Sequence, residues 1–213
     1  MSLSSHATKV GFGAACTVLL LLMSQTSALA HHAMGGELPV TLWDGLLSGF
    51  AHPVIGLDHF AFLLAVGLLA STTAKPFLSP LPFVSSTLCG IVIHLATIDL
   101  PLAELLVACS VVVVGGLLLV RRRLAAIPLM VVFALAGMSH GYAYGESIVG
   151  AEQSPLLAYL VGLAAVQYII AISAIAGMRA LATRSAQLPP YGLHVGGAVV
   201  TCIGVFFIAA NLF

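Results

Sequence analysis

Six long apolar stretches follow one another along the chain, near 53–73, 77–98, 102–120, 126–146, 155–178 and 193–212. Each is long enough to cross about 30 Å of hydrocarbon as a helix rising about 1.5 Å per residue. The surface needed for any other solution is missing. Hydrophobic residues make up 61% of the 213, and seven basic with seven acidic side chains bring charge to only 7%. A soluble domain carries about 25% charged residues. This excludes a soluble enzyme, a disordered chain and a nucleic-acid binder, which needs a basic surface. The apolar runs show no period-two alternation, which argues against a membrane β-barrel. The expectation is an all-α polytopic membrane bundle of six transmembrane helices. Pro53, Pro80, Pro82, Pro101, Pro128, Pro155, Pro189 and Pro190 fall at or near segment starts, where a missing N–H costs little.

Ahead of the first span, Lys9 precedes an apolar run from Val10 to Met23, then a polar stretch and Ala28-Leu29-Ala30. This is the pattern of a cleavable signal peptide over residues 1–30. Cleavage there starts the mature chain, 31–213, at His31-His32, outside the cytoplasm. Residues 42–50 are expected to form a short interfacial helix anchored by Trp43. His52 precedes Pro53 and is biased away from helix, so a break is expected there. With the mature N-terminus outside, Lys75, Arg121, Arg122, Arg123, Arg179 and Arg184 all fall in cytoplasmic loops, and Asp99, Glu104 and Glu152 outside. That follows the positive-inside rule and puts the C-terminus outside as well. Cys89, Cys109 and Cys202 fall within spans, where they read as small packing residues.

Charged groups near a membrane centre cost roughly 2.5–3.5 kcal/mol each on insertion scales, so those present need a reason. The eight histidines outnumber either class of charge. The first span carries His52 and then Asp58-His59; the second carries His94; the fourth carries His140 with Glu146 after it. At about 1.5 Å per residue, Asp58 and His59 lie about 7–9 Å from the outer start of their helix, His94 about 6 Å and His140 about 9 Å from theirs. Taken singly, His94 reads as a hydrogen-bonded packing residue, Asp58-His59 as a structural pair, and Glu146 and His194 as interfacial. Together, Asp58, His59, His94 and His140 converge at one level in the outer half of the bilayer. Imidazole with carboxylate is a ligand set for Ni²⁺, Co²⁺, Cu²⁺ or Zn²⁺. His52 and Glu146 are placed nearer the outer mouth, His31 and His32 form a candidate capture site at the mature terminus, and His194 is a candidate exit ligand.

The string His52-Pro53-Val54-Ile55-Gly56-Leu57-Asp58-His59, continuing to Val66-Gly67, resembles the signature of the HupE/UreJ family, with Leu63 standing where that family has methionine. Ser139-His140-Gly141-Tyr142-Ala143 with Glu146 resembles its second signature. The resemblance implies a secondary permease of the cytoplasmic membrane that imports nickel or cobalt, with the divalent ion and the lipid bilayer as partners and a homo-oligomer as an option. It implies no enzyme and no prosthetic group. The chain lacks the phosphate-loop and H-E-x-x-H patterns. Two other classes fit the same residues: a membrane metal sensor or store, and an intramembrane metalloenzyme with Glu146 as its base.

Overall fold

The computed structural model describes residues 37–120 and 125–213. The expected leader, His31, His32 and Arg121–Arg123 lie outside the described residues. Seven helices are described: α1 (Leu42–Ile55), α2 (Leu57–Ala70), α3 (Leu81–Leu95), α4 (Ala103–Leu119), α5 (Ala126–Glu146), α6 (Gln153–Arg184) and α7 (Leu188–Leu212). The chain is an all-α helical bundle. Each of the six apolar stretches folds as a helix, from α2 to α7, but their lengths differ. α5, α6 and α7, with 21, 32 and 25 residues, are long and apolar enough to cross a membrane. α1 and α2 form a fourth crossing if counted as one span bent by 81°. α3 and α4, at 15 and 17 residues, reach about 23–26 Å at 1.5 Å per residue, short of about 30 Å.

α1 begins at a capping box. Thr41 Oγ1 accepts from the Asp44 backbone N–H at 3.2 Å, and the Asp44 carboxylate accepts from the Thr41 N–H at 2.8 Å. The helix is longer than the 42–50 expected, because it runs through His52 and Pro53 to Ile55. The break expected at His52 comes instead at Gly56, which ends α1 and starts α2. Pro53 sits in the last turn and has no N–H to give the Gly49 carbonyl four residues back, and the Gly56 N–H closes that turn on the His52 carbonyl at 3.1 Å. A side chain at Gly56 would stand 2.7 Å from the His59 ring. The residue that permits the bend therefore also leaves room for the histidine behind it.

The helices pair closely where small residues let backbones approach. α3 packs along α5, α4 along α7, and α1 along α6, with α2 in the centre against α4, α6 and α7. The apolar core gathers round α2, with Phe62, Leu63, Val66 and Leu69 against Phe83, Val111, Val114, Leu129 and Phe133. Val92, Val131, Leu135, Val161 and Val205 point outward and are exposed, as lipid-facing positions should be. Cys89 and Cys109 are also exposed and Cys202 half-buried, so the first two lie on the bundle surface rather than packing inside it. The two ends differ in charge. The Arg179 guanidinium lies 4.5 Å from the Phe77 ring centroid, beside the turn that carries Lys75. Glu104 and Glu146 line one pocket with Asn211 near the C-terminus.

Candidate metal site

The break between α1 and α2 brings together the two halves of the H-P-V-I-G-L-D-H string. His52 is 3% exposed, Asp58 1%, His59 2% and His140 0%. Asp58 stands in the first turn of α2, where a carboxylate is favoured by the helix dipole, and its Oδ1 accepts from the His59 N–H at 2.8 Å. Since α2 starts at Leu57, both residues sit at the tip of their helix rather than the 7–9 Å within it that a continuous first span implied. α1 approaches the same point with its last carbonyls, which are left without helical partners and carry partial negative charge. A broken membrane helix that exposes such ends is a recurrent way of holding ions.

Three imidazoles face one another around this point. His59 Nδ1 lies 2.8 Å from His140 Nδ1, and the His52 ring centroid lies 6.0 Å from that of His59. Tyr144 covers both, its ring 5.0 Å from His52 and 4.4 Å from His59. Phe62 packs 4.3 Å and Phe83 5.6 Å from His140, so the inner side of the cluster is apolar. Hydroxyl groups engage the outer ring atoms. Tyr159 Oη and Ser147 Oγ lie 3.0 and 3.1 Å from His52 Nδ1, and both donate to the Tyr144 carbonyl. Ser110 Oγ lies 2.9 Å from His140 Nε2. Below Tyr144, Gln167 is fully buried and accepts from Thr87 Oγ1 at 3.0 Å. Tyr144 Oη and Gln167 Nε2 are both buried without a hydrogen-bond partner.

The structure therefore groups His52, Asp58, His59 and His140. His94 stands elsewhere. Its ring packs 4.4 Å from Tyr142, and with Glu146 and Glu104 it lines a pocket of about 230 Å³ to which none of the four contributes. His94 Nδ1 is buried without a hydrogen-bond partner. His94 lies farther along α5, opposite Gly145 rather than Gly141, and helical phase separates the two groups as well. His140 and Tyr144, four residues apart, share one face of α5, while Tyr142 and Glu146, likewise four apart, share another. His52 and His94 thus exchange the positions expected of them, His52 joining the buried group and His94 the pocket with Glu146. His194 is exposed in the first turns of α7, and Leu63 is buried in the apolar core. Among the described residues, no three His, Cys, Asp or Glu side chains are arranged to hold a metal ion as they stand.

Sequence reasoning missed Ser110, Ser147, Tyr159, Gln167 and Thr87. Each is an uncharged polar residue within or beside an apolar run, and none has the partner spacing that drew attention to the histidines. The one available signal was that Gln167 is an amide in mid-span, where an unpaired polar group is costly.

The relationships of the chain agree with this geometry. The family described as HupE / UreJ protein matches residues 18–207, which include every helix that contributes to the buried group. Protein HupE of Rhizobium leguminosarum bv. viciae is 30% identical over 129 residues, 60% of this chain, and the aligned part spans 66% of that relative's length. No solved structure matches the chain. With a family match over most of its length, and both quoted signatures meeting in the folded chain at one buried point, the protein belongs to the HupE/UreJ family.

Proposed function

We propose that the protein is a secondary permease that carries Ni²⁺ or Co²⁺ inward across the cytoplasmic membrane, with the divalent ion as its substrate. The observation that supports this best is the buried group of His52, Asp58, His59 and His140 at the broken helix between α1 and α2. A carboxylate and imidazoles are donors suited to such ions, and their burial in a membrane bundle is costly enough to point to a function. His94 and Glu146, with Glu104, form the outer pocket in which an arriving ion first loses water. His31 and His32 capture it at the mature terminus, and His194 receives it at the inner end. Cu²⁺ and Zn²⁺ fit the same donors, and selection between nickel and cobalt rests on geometry more than on affinity.

In this reading residues 1–30 are removed as a signal peptide and residues 31–213 cross the membrane six times, with both termini outside. The short α3 and α4 are accommodated by local thinning of the bilayer. The basic residues then occupy the cytoplasmic face, as the shared location of Arg179 and the Lys75 turn supports. The protein is active alone or as a homo-oligomer. Purified protein in sealed vesicles tests the proposal. Inward flux of nickel or cobalt is expected. Stoichiometric binding without flux would make it a sensor or store, and turnover of a peptide or lipid would make it a metalloenzyme.

A further inference from the structure

We infer that Ser110, on a helix that carries none of the four buried residues His52, Asp58, His59 and His140, is a positioning residue that fixes which nitrogen of His140 bears the proton. The inference rests on the permease reading only for its consequence, not for its geometry. Ser110 Oγ lies 2.7 Å from the Val107 carbonyl and 2.9 Å from His140 Nε2. A carbonyl has no proton to offer, so Ser110 donates its single proton there. Its lone pair then accepts from His140, which must be the Nε2–H tautomer with a bare Nδ1. That atom lies 2.8 Å from His59 Nδ1, so His59 donates. The run is His59 Nδ1–H to His140 Nδ1, His140 Nε2–H to Ser110, and Ser110 to Val107. The opposite polarity turns the serine proton toward His140 and gives up the bond to Val107.

The consequence concerns the ion. Ser110 thus leaves His140 Nδ1, on the edge that faces His59, as the nitrogen with the free lone pair, which is the form in which an imidazole could hold a metal ion. The partner that donates or accepts on the far nitrogen of a ligating histidine sets its tautomer and orientation. Ser110 does this from α4, so that helix contributes to the site without supplying a ligand.

The test is nitrogen-15 NMR of the full-length, histidine-labelled protein in nanodiscs at neutral pH, with the His140 signals assigned by their loss in His140→Gln. The wild-type spectrum is expected to show a protonated Nε2 and a bare Nδ1. Ser110→Ala should give a mixture of tautomers and weaken binding of nickel chloride about 10- to 100-fold. Ser110→Thr, which keeps the hydroxyl, should restore both. A proton on His140 Nδ1 in the wild type would overturn the inference with no variant needed. So would an unchanged spectrum and unchanged nickel affinity in Ser110→Ala. If the tautomer and its dependence on Ser110 appear as expected while vesicles show no nickel flux, the inference stands and the permease reading fails.

Discussion

His52 is held by a tyrosine and a serine that have no place in either signature. Tyr159 Oη and Ser147 Oγ converge on its Nδ1 and on the Tyr144 carbonyl, so the ring is locked from behind while its other edge faces the cluster. Tyr159→Phe should remove one of two hydroxyls at each of those atoms. Ser147 remains, so the loss should be near the lower end for a buried hydrogen bond, about 1 kcal/mol, read as a lowered midpoint in thermal unfolding with metal uptake reduced but present. The ligand candidates should behave differently. Asp58→Asn keeps the shape of the side chain and its contact with the His59 N–H but removes the charge, and His59→Ala removes a donor. Each should abolish uptake at low external nickel while the protein still reaches the membrane. Near-normal transport by both would return these residues to a packing role. Histidine and aspartate in an apolar run were legible from the sequence because their burial is costly. Tyr159, Ser147 and Ser110 were not, since a hydroxyl in a helix can satisfy itself on the preceding turn, as Ser139 does on Ala136.

Between elements, the decisive feature is the 81° bend between α1 and α2. The sequence suggested a break because His52 precedes proline, but placed it four residues early. The bias against helix before proline is local and modest, and the packing of α1 along α6 outweighs it. That packing includes Gly49, where an added side chain would meet the Leu163 backbone nitrogen at 2.8 Å. At Gly56 the backbone has φ −69° and ψ 103°, which any residue adopts, so the requirement for glycine there is space alone. Gly56→Ala should push the new methyl against His59 Cδ2, 2.7 Å away, and turn the ring from His140. Overpacking of this kind costs about 1–3 kcal/mol. The expected result is a folded protein with a modestly lowered unfolding midpoint and strongly reduced uptake. Normal uptake by Gly56→Ala would mean that the orientation of His59 at the bend is not used. The second element-scale lesson concerns His94. A rise per residue fixed neither depth nor azimuth, since Asp58 and His59 stand at the tip of their helix. A side chain added at Gly145 would meet His94, and one at Gly141 would meet Thr87, so His94 lies beyond His140 along α5 and against Tyr142.

For the whole molecule, the difference between the two ends is what a membrane potential acts upon. Cys89 and Cys109 are exposed on the bundle surface, so replacing them with alanine should change stability by no more than about 0.5 kcal/mol. With Cys202 replaced as well, and Cys16 lost with the proposed leader, that gives a background for labelling single cysteines. A probe after Phe213 should react from outside and a probe beside Lys75 only from the cytoplasm; the reverse would invert the proposed topology. The driving force follows from charge. A single charge gains about 2.3 kcal/mol per 100 mV, so a dication entering an inside-negative compartment gains about 4.6 kcal/mol. At about 1.4 kcal/mol per decade this sustains roughly 10³-fold accumulation without ATP. In the proposed reading the site must also let go, so its affinity for the ion should be moderate. Vesicles holding the protein should therefore concentrate nickel when an inside-negative potential of about 100 mV is imposed, and should only equilibrate it when the potential is collapsed. Accumulation that persists at zero potential, and vanishes when a proton gradient is removed, would assign the driving force to protons instead.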